Sequence, residues 1–466
     1  MIRSVDRLWL GRQAVMVAGD VCVFSLVVAL VSQLRGPALP FGQLVTLFVP
    51  VLGFCVASAY VAGLYELRLV RDFVALIGGL LGAAGASWVL GTTYFYLQSS
   101  GPGLSPKMTL FLVVVGTHVG MLCWRRAVLT VTGFTLFDLK VVILAAADQR
   151  EYLGSSMGRH RSEEFNVVDI ATPDVNLVVV DRRWADRNTD EAYRVLSTAI
   201  ANRIPVVSID EFHESLFGKV SPEHASDLVW ALDHVLPRSG SPYFAVKRVL
   251  DVVLAAVLLL MHLPLMVLVA LAIALMDRAS PFYGQTRIGY LGRPFRLWKF
   301  RTMRPGADCA GPFVPVPFSG DRRVTPLGSF LRRVRIDELP QLWNVLKGDM
   351  SLVGPRPEWA EEVRVNEKSV PTYRLRYLVP PGITGWAQVY FRATNNPLDS
   401  IEKQNFDLYY LKHLSLALDF SIMLKTIKRV LIHDSRVSSA PIPWPLDHPS
   451  ESASSIDIGS IVGRGE

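Results

Sequence analysis

Five long apolar stretches constrain what this chain can fold into. They cover residues 14–34, 44–65, 73–97, 108–124 and 252–275. Each of the first four has, or nearly has, the roughly 17 to 25 residues that cross a bilayer as a helix. Only 19% of the 466 residues are charged, against roughly 25% in soluble domains. We therefore expect an integral membrane protein, and we exclude a disordered chain and a disulfide-dense secreted domain.

Basic side chains lie on alternate sides of the first four stretches. Arginines precede the first stretch and follow the second and the fourth, whereas only Arg35 and Lys107 fall on the opposite side. The positive-inside rule then predicts a four-helix transmembrane bundle over residues 1–135, with its amino terminus and everything after residue 125 in the cytoplasm. The net charge of +7 fits a membrane surface or phosphate groups, so we expect no nucleic-acid partner.

Asp20 is an ionisable residue inside the first apolar stretch, close to its cytoplasmic end. Charged groups within a membrane are costly unless they are paired. We expect Asp20 to pair with Arg125 or Arg126, which follow the fourth stretch. This pairing predicts contact between the first and the fourth helices.

Residues 136–240 change to short β-branched runs that alternate with polar, helix-compatible segments. The alternation predicts a small doubly wound, Rossmann-like α/β domain. Glycines usually bring the backbone to a nucleotide at the first strand-to-helix turn of such a fold, but this turn reads Ala145, Ala146, Ala147, Asp148. We therefore expect a structural, regulatory or oligomerising module, and a homo-oligomer stays open.

The fifth apolar stretch is long enough to cross the membrane, but three features oppose a crossing. Pro264 lies in its middle and lacks a helical hydrogen-bond donor. Both flanks are basic, and a crossing would move a further cluster of arginines and lysines outside, against the charge bias. We predict a re-entrant helix over residues 246–277 that is broken at Pro264 and returns to the cytoplasmic face.

The segment that follows carries many cations and one acidic pair, Asp337 and Glu338. Such a set suits phosphoryl transfer, with one carboxylate on Mg²⁺ and the other free to attack phosphorus. If residues 336–346 form one helix, both acids lie in its first turn, where the helix dipole favours the ionised form of a nucleophile. Helix-capping acids and arginines facing lipid headgroups explain the same residues equally well, so chemistry alone leaves both interpretations open.

Several long motifs, in a fixed order, resemble those of one protein family. They are KR and Asp251 at the start of the fifth stretch, KFRTM at 299–303, DELPQLWNVLKGDMSLVGPRP at 337–357, PGITGWAQV at 381–389 and DLYY at 407–410. Over residues 242–433 they resemble the monotopic phosphoglycosyl transferase superfamily, bacterial sugar transferases that start exopolysaccharide, capsule and O-antigen chains. The whole chain resembles the large members of this superfamily.

The resemblance implies a mainly helical α+β catalytic domain over residues 241–434, at the cytoplasmic face of a bacterial inner membrane. Its reaction would move a hexose-1-phosphate from a UDP-hexose, with glucose or galactose expected, to undecaprenyl phosphate. Asp337 would attack the sugar-bearing phosphorus, UMP would leave, and the lipid phosphate would take the phosphosugar from the aspartate. Glu338 would hold or orient the metal, Mg²⁺ or Mn²⁺.

Further residues match positions of the family's site. Those matched to substrate phosphates are Arg332, Arg356, Lys299 and Arg301, and those matched to supporting positions are Asp407, Tyr410 and Arg392. The family usually has a serine before the helix-breaking proline, where this chain has Leu263. We consider His262 as a replacement for the missing hydroxyl.

Residues 416–432 predict a basic amphipathic helix that lies either on the leaflet or against the protein core. Residues 435–466 are rich in serine and proline, and we expect them to be disordered. A membrane-anchored sugar-nucleotide dehydratase is a rival interpretation, but its glycine-rich turn is matched only by Gly79, Gly82 and Gly85 inside an apolar stretch. A non-enzymatic scaffold for polysaccharide assembly is the other rival.

Overall fold

The computed structural model describes residues 4–35, 41–65, 73–97, 106–132, 139–160, 165–168, 175–220, 242–304, 306, 323–370, 372–391 and 399–432. This part of the chain is mostly helical, with one small parallel sheet and two short strand pairs. This secondary structure agrees with the expected combination of membrane helices and an α/β unit. Arg392 and the tail expected to be disordered lie outside the described residues.

Four helices form the first unit: α1 (Ser4–Arg35), α2 (Phe41–Val61), α3 (Phe73–Leu97) and α4 (Pro106–Thr132). Their shared core is apolar and includes Phe24, Val51, Leu80 and Val114. The neighbouring pairs are α1 with α2 and α4, and α3 with α2 and α4. The sequence pattern therefore predicted these helices at the right places.

Four helices of the described part are long and apolar enough to cross a membrane: Ala14–Leu34, Leu76–Leu97, Met108–Val128 and Pro242–Met276. This set differs from the predicted one by one member. The second predicted stretch contributes only a shorter apolar helix, Leu47–Val61. The fourth helix that is long enough to cross the membrane comes instead from the fifth stretch. Length and composition alone therefore do not separate a crossing helix from a re-entrant one.

A buried ion pair joins the first and fourth helices. Arg125 donates to both carboxylate oxygens of Asp20, at 2.8 and 2.9 Å, and both side chains are fully buried. The hydroxyl of Tyr65 donates a further hydrogen bond of 2.8 Å to Asp20. The predicted pairing of Asp20 is thus confirmed, with Arg125 as the partner.

The second unit is a four-stranded parallel sheet with strand order β2-β1-β3-β4. Its elements are β1 (Leu139–Leu144), α5 (Ala147–His160), β2 (Phe165–Val167), β3 (Leu177–Val180), α6 (Arg182–Arg187), α7 (Thr189–Ala201), β4 (Val206–Ser208) and α8 (Ile209–Phe217). Asp181 and Ser208 accept hydrogen bonds from the first turns of α6 and α8, as helix caps do. The predicted alternation of strands and helices is therefore present as a small parallel sheet.

The third unit contains the remaining elements. They are α9 (Pro242–Met276), β5 (Phe282–Ile288), β6 (Pro294–Phe300), α10 (Pro326–Arg333), α11 (Gln341–Lys347), β7 (Ser351–Val353), α12 (Ala360–Ser369), β8 (Gly382–Thr384), α13 (Trp386–Tyr390), α14 (Asp399–Lys412) and α15 (Leu416–Ile432), with 3-10 turns at Tyr290–Gly292, Ile336–Glu338 and Tyr373–Leu378. β5 and β6 form an antiparallel hairpin, and β7 pairs with β8 in parallel. Leu297, Val345, Trp386 and Leu408 lie in its core.

Helix α9 runs through Pro264 without interruption. The predicted break of the helix at this residue is therefore not observed. Pro264 leaves the carbonyl of Leu260 without its helical donor, whereas His262 Nδ1 lies 2.8 Å from the carbonyl oxygen of Leu258. The histidine thus does not replace the missing serine hydroxyl at the freed carbonyl.

One face of α9 packs on the third unit and the other faces are exposed and apolar. The buried residues are Lys247, Asp251, Ala255, Met266, Val269 and Ile273. Exposed side chains include Leu260, Leu268 and Leu275. A helix with this pattern has protein along one side and apolar surface on the rest, as suits a lipid environment.

Helix α15 packs against the protein core. Ile422 is fully buried in the core of the third unit, and Asp419 is buried as well. The hydroxyls of Ser421 and of Tyr60 in α2 are 3.1 Å apart. The structure therefore shows the contact with the core that one of the two predicted placements required, while Phe420 and Ile427 on other faces of α15 are exposed.

Candidate active site

The acidic pair lies in a 3-10 turn. This turn, Ile336–Glu338, follows Arg335, whose backbone is left-handed with φ 60°. A separate helix, α11, begins only at Gln341, directly after Pro340. The single helix over residues 336–346, on which the expected effect of the helix dipole was conditional, is therefore not present, since Pro340 has no N–H with which to continue the turn.

Asp337 is buried, and one of its carboxylate oxygens, Oδ1, has no hydrogen-bond partner among the described residues. Burial raises the pKa of Asp337 above its ordinary value of 3.8, and the charge of Glu338 acts in the same direction, whereas Lys299 opposes it. The expectation that a helix dipole would favour the ionised form is thus overturned by burial. The chemical result is a basic carboxylate with an oxygen available to another group.

Glu338 has the opposite environment. Its Oε1 accepts a hydrogen bond of 2.9 Å from Lys299 and one of 3.1 Å from Arg356, and Arg335 lies 4.0 Å from Oε2. Although burial opposes ionisation, Arg356 and Lys299 hold the pKa of Glu338 well below its ordinary value. The pKa values of these adjacent carboxylates are therefore shifted in opposite directions, as two separate roles require.

The predicted phosphate-binding residues are not all at the pair. Lys299 and Arg356 contact Glu338 directly, and the positive charge of Arg332 reaches Asp337. Arg332 is oriented by a 2.8 Å hydrogen bond from its Nε to the hydroxyl of Thr302. Arg301 instead donates to the carbonyl of Ser280 and lies beside the ring of Tyr283, so the structure does not bring it to the pair.

Two glycines let the loop that carries Arg356 approach the PGITGWAQV motif. A Cβ atom on Gly382 would lie 2.1 Å from the backbone nitrogen of Gly354. A Cβ atom on Gly354 would lie 2.3 Å from the carbonyl oxygen of Pro380. Any side chain at either position would push the two backbones apart and displace Arg356, which explains why both motifs contain glycine here.

Arg376 contacts the backbone of Arg356, and the sequence patterns did not indicate a role for Arg376. Arg376 is almost fully buried and forms ion pairs of 2.8 Å with Glu358 and 2.7 Å with Asp407. Its Nη2 also donates to the backbone carbonyl of Arg356 at 3.2 Å. Asp407 thus connects to the backbone of Arg356 through Arg376.

Tyr410 lies away from the acidic pair. Its hydroxyl donates to Asp419 at 2.8 Å, and Asp419 also accepts a hydrogen bond of 2.8 Å from Lys247 of α9. Tyr410 therefore links α14 to α15, and Lys247 links α9 to the same carboxylate. Burial and the charge of Asp419 raise the pKa of Tyr410 well above its ordinary value, so the hydroxyl stays protonated and can donate.

Comparisons with known proteins agree with this geometry. The family model described as "Bacterial sugar transferase" matches residues 242–433. A protein of Aeromonas hydrophila, named UDP-N-acetylgalactosamine-undecaprenyl-phosphate N-acetylgalactosaminephosphotransferase, is 34% identical over 375 residues, which are 75% of this chain and 86% of that protein. The chain belongs to the bacterial sugar transferase family. The resemblance inferred from the motifs is thereby confirmed, and this sugar transferase is an enzyme of the phosphoglycosyl transferase type.

Two further relatives match a smaller share of the sugar transferase. Both are named UDP-glucose:undecaprenyl-phosphate glucose-1-phosphate transferase. The protein of Xanthomonas campestris pv. campestris is 43% identical over 41% of this chain and 40% of its own length. The protein of Caulobacter vibrioides is 41% identical over 46% of this chain and 82% of its own length.

Proposed function

We propose that this sugar transferase moves a hexose-1-phosphate from a UDP-sugar to undecaprenyl phosphate and releases UMP. The observation that carries the proposal is the pair of unlike carboxylates, Asp337 with an unpaired oxygen and a raised pKa, and Glu338 held ionised by Lys299 and Arg356. The substrates in the names of the relatives support both the sugar-nucleotide donor and the lipid acceptor.

The reaction has two steps at one phosphorus atom. A carboxylate oxygen of Asp337 forms a bond to the sugar-bearing phosphorus, and the bond from this phosphorus to the bridging oxygen breaks, with its electron pair leaving on UMP. A phosphate oxygen of the lipid then attacks the same phosphorus and displaces the Asp337 carboxylate. Covalent storage on the enzyme replaces one difficult encounter between a soluble and a lipid substrate by two easier ones.

The cations around the pair would stabilise phosphate charge during both steps. Lys299 and Arg356 lie against Glu338, and Arg332 lies near enough to influence Asp337. Arginine forks bind phosphate oxygens in a bidentate manner, and charge on the transferred phosphoryl group is where such a site gains most.

A divalent cation, Mg²⁺ or Mn²⁺, is part of the proposal. No cluster of three or more histidine, cysteine or acidic side chains exists among the described residues. Mg²⁺ is nonetheless commonly held by one or two carboxylates and substrate phosphates. The unpaired Oδ1 of Asp337 and the loosely paired Oε2 of Glu338 fit this donor set. When bound, the ion would neutralise diphosphate charge.

We also propose that the site lies at the cytoplasmic face of the bacterial inner membrane and that the unbroken helix α9 lies along this face, with both of its ends on it. Both ends of α9 contact the third unit: Arg248 donates to the carbonyls of Val345 and Leu346, and Asp277 accepts from Thr325. A crossing helix would rise about 1.5 Å per residue away from a cytoplasmic unit. Contacts along the whole of α9 favour a helix that stays beside it.

The test uses the full-length protein in lipid nanodiscs with Mg²⁺ and undecaprenyl phosphate. We expect UMP release from at least one of UDP-glucose, UDP-galactose and their N-acetylated forms, and, without lipid, radiolabel from the sugar on the protein. Asp337→Asn should abolish both signals. Absence of UMP with every donor would overturn the proposal, and a changed sugar ring with UDP intact would favour the dehydratase.

A further inference from the structure

Arg287 is a partly buried cation without a carboxylate partner. It lies in β5, and its Nε and Nη2 donate to Oε1 of Gln285 at 3.1 and 2.7 Å. Its guanidinium covers the ring of Trp359 at 5.2 Å from the centroid, and Nη1 reaches the carbonyl of Pro357 at 3.5 Å. In the part of the chain that the structure describes, no acidic side chain lies within ion-pair distance of Arg287.

The cations nearest to the acidic pair differ from Arg287 in this respect. Lys299 and Arg356 share the carboxylate of Glu338, and Arg376 has two carboxylates. Burial and the charge of Arg356 lower the pKa of Arg287 to about 10, against the opposing charges of Glu362 and Glu358, which leaves Arg287 charged at neutral pH. These two carboxylates act on Arg287 from beyond ion-pair distance, so its guanidinium contacts only neutral groups.

The same short loop serves both arginines. The side chain of Arg356 pairs with Glu338, while the carbonyl of Pro357 and the ring of Trp359 contact Arg287. A desolvated cation whose hydrogen bonds all go to neutral acceptors is costly, so a protein that fixes one in place gains from an anion that binds there. Gln285 and Trp359 hold the guanidinium in one orientation, which lowers the entropy lost when it binds a ligand.

We propose that Arg287 binds the diphosphate of the sugar-nucleotide donor at the phosphate that leaves as UMP. This inference rests on the function proposed above. Glu338 is next to Asp337, Arg356 contacts Glu338, and Arg287 contacts Pro357 and Trp359 of the loop that carries Arg356. The attacked phosphorus must be at Asp337, and the second phosphate of the donor would then lie at Arg287. As the bond to the bridging oxygen breaks, UMP gains that electron pair, and a guanidinium fork stabilises the growing charge.

The central variant is Arg287→Met, which removes the charge and keeps an apolar stem against Trp359. We expect the KM for the UDP-sugar and the inhibition constant of UMP to rise roughly 10- to 100-fold, as for the loss of a charge-assisted hydrogen bond. Transfer from prelabelled enzyme to lipid phosphate should keep its rate, because UMP has already left. Arg287→Lys should be intermediate, since an ammonium lacks the fork.

The matched control is Arg296→Met. Arg296 is an exposed arginine of the paired strand β6, and its guanidinium lies 4.6 Å from the ring centroid of Trp298. We expect it to leave the KM for the UDP-sugar and the inhibition by UMP unchanged. A loss equal to that of Arg287→Met would show a general effect of charge and would overturn the assignment.

A binding experiment separates contact from folding. Asp337→Asn does not turn over, so the equilibrium affinity for intact UDP-sugar is measured with and without Arg287→Met in that background. We expect weaker binding with the added change. Equal affinities, or a wild-type enzyme that releases UMP while Arg287→Met matches its kinetics, would overturn this inference alone. A wild-type enzyme that releases no UMP would instead overturn the proposed function.

Discussion

At the scale of single residues, neighbours in sequence have opposite surroundings. Asp337 and Glu338 are adjacent, yet only Glu338 is paired with cations. The sequence predicted both acids and three of the four proposed phosphate-binding cations near them, because their motifs are long and ordered. It did not predict Arg376 or Arg287, since their importance depends on burial and on partners brought together by tertiary folding.

The raised pKa of Asp337 predicts how the enzyme depends on pH. Only the ionised carboxylate can attack phosphorus. As the pH is lowered, kcat/KM for the first half-reaction should therefore begin to fall at a pH above 3.8, the ordinary pKa of this group. Lys299→Met removes a positive charge near Asp337 and leaves the negative charge of Glu338 with one fewer cation beside it. Both effects raise the pKa of Asp337, so the acidic limb of the pH profile of kcat/KM should move to higher pH. Lys347→Met, at an exposed lysine of α11, is the control. An unmoved limb in Lys299→Met would contradict the prediction.

Arg376 should matter more for stability than its place behind the site suggests. Arg376→Met leaves Glu358 and Asp407 buried without this cation, and breaking such pairs typically costs about 3 to 5 kcal/mol. Chemical unfolding in detergent should show this loss, together with a lower kcat through Arg356. Arg374→Met, at an exposed arginine two residues earlier, should unfold as the wild type does. Similar stability of the two variants would show that the pairs contribute little.

At the scale of elements, helices and strands followed the hydrophobic pattern, but their interruptions did not. The sequence placed a helix break at Pro264 and a continuous helix after Ile336, and the structure has the reverse. Proline in a long apolar helix can be tolerated when neighbours support it, whereas Pro340 lies where a new helix starts. Periodicity therefore predicts where elements occur better than where they are interrupted.

Cysteine labelling tests the path of α9. In a cysteine-free background, Ala245→Cys and Arg278→Cys flank its apolar part at exposed positions. We expect an impermeant maleimide to label both in inside-out vesicles and neither in spheroplasts. Ser99→Cys, which follows the third apolar stretch, should show the opposite pattern. Labelling of Arg278→Cys in spheroplasts would mean that α9 crosses the membrane.

At the scale of the whole molecule, the second and third units are joined by contacts that no local pattern predicts. Trp386 Nε1 donates to the carbonyl of Gly218 at 2.5 Å, and Lys219 pairs with Glu402 at 2.5 Å. Val220 is fully buried in the core of the third unit, although it lies before the boundary that we predict at residue 240. These partners are more than a hundred residues apart in sequence, so periodicity and motifs carry no information about them.

The Trp386 contact can be weakened without emptying the core. Trp386→Phe removes the indole donor but keeps an aromatic ring near Tyr409, on which Trp386 stacks at 5.2 Å. We expect a loss of about 1 to 3 kcal/mol in the free energy of unfolding, because the Gly218 carbonyl loses its partner. Trp343→Phe, at a tryptophan that is 56% exposed, should change it little. Equal losses in the two variants would show that the hydrogen bond from Trp386 to Gly218 does not stabilise the contact between the two units.

The buried pair between Asp20 and Arg125 has a consequence for how the protein is made. The two residues are 105 positions apart, so the ribosome delivers the acid to the membrane well before its basic partner. Until the fourth helix emerges, the first carries an uncompensated charge, which would cost about 3 kcal/mol at the centre of the bilayer and less at the position of Asp20 near the cytoplasmic end. The first helix thus reaches its final position only after the fourth has been inserted, and the helices of the bundle assemble together rather than one after another.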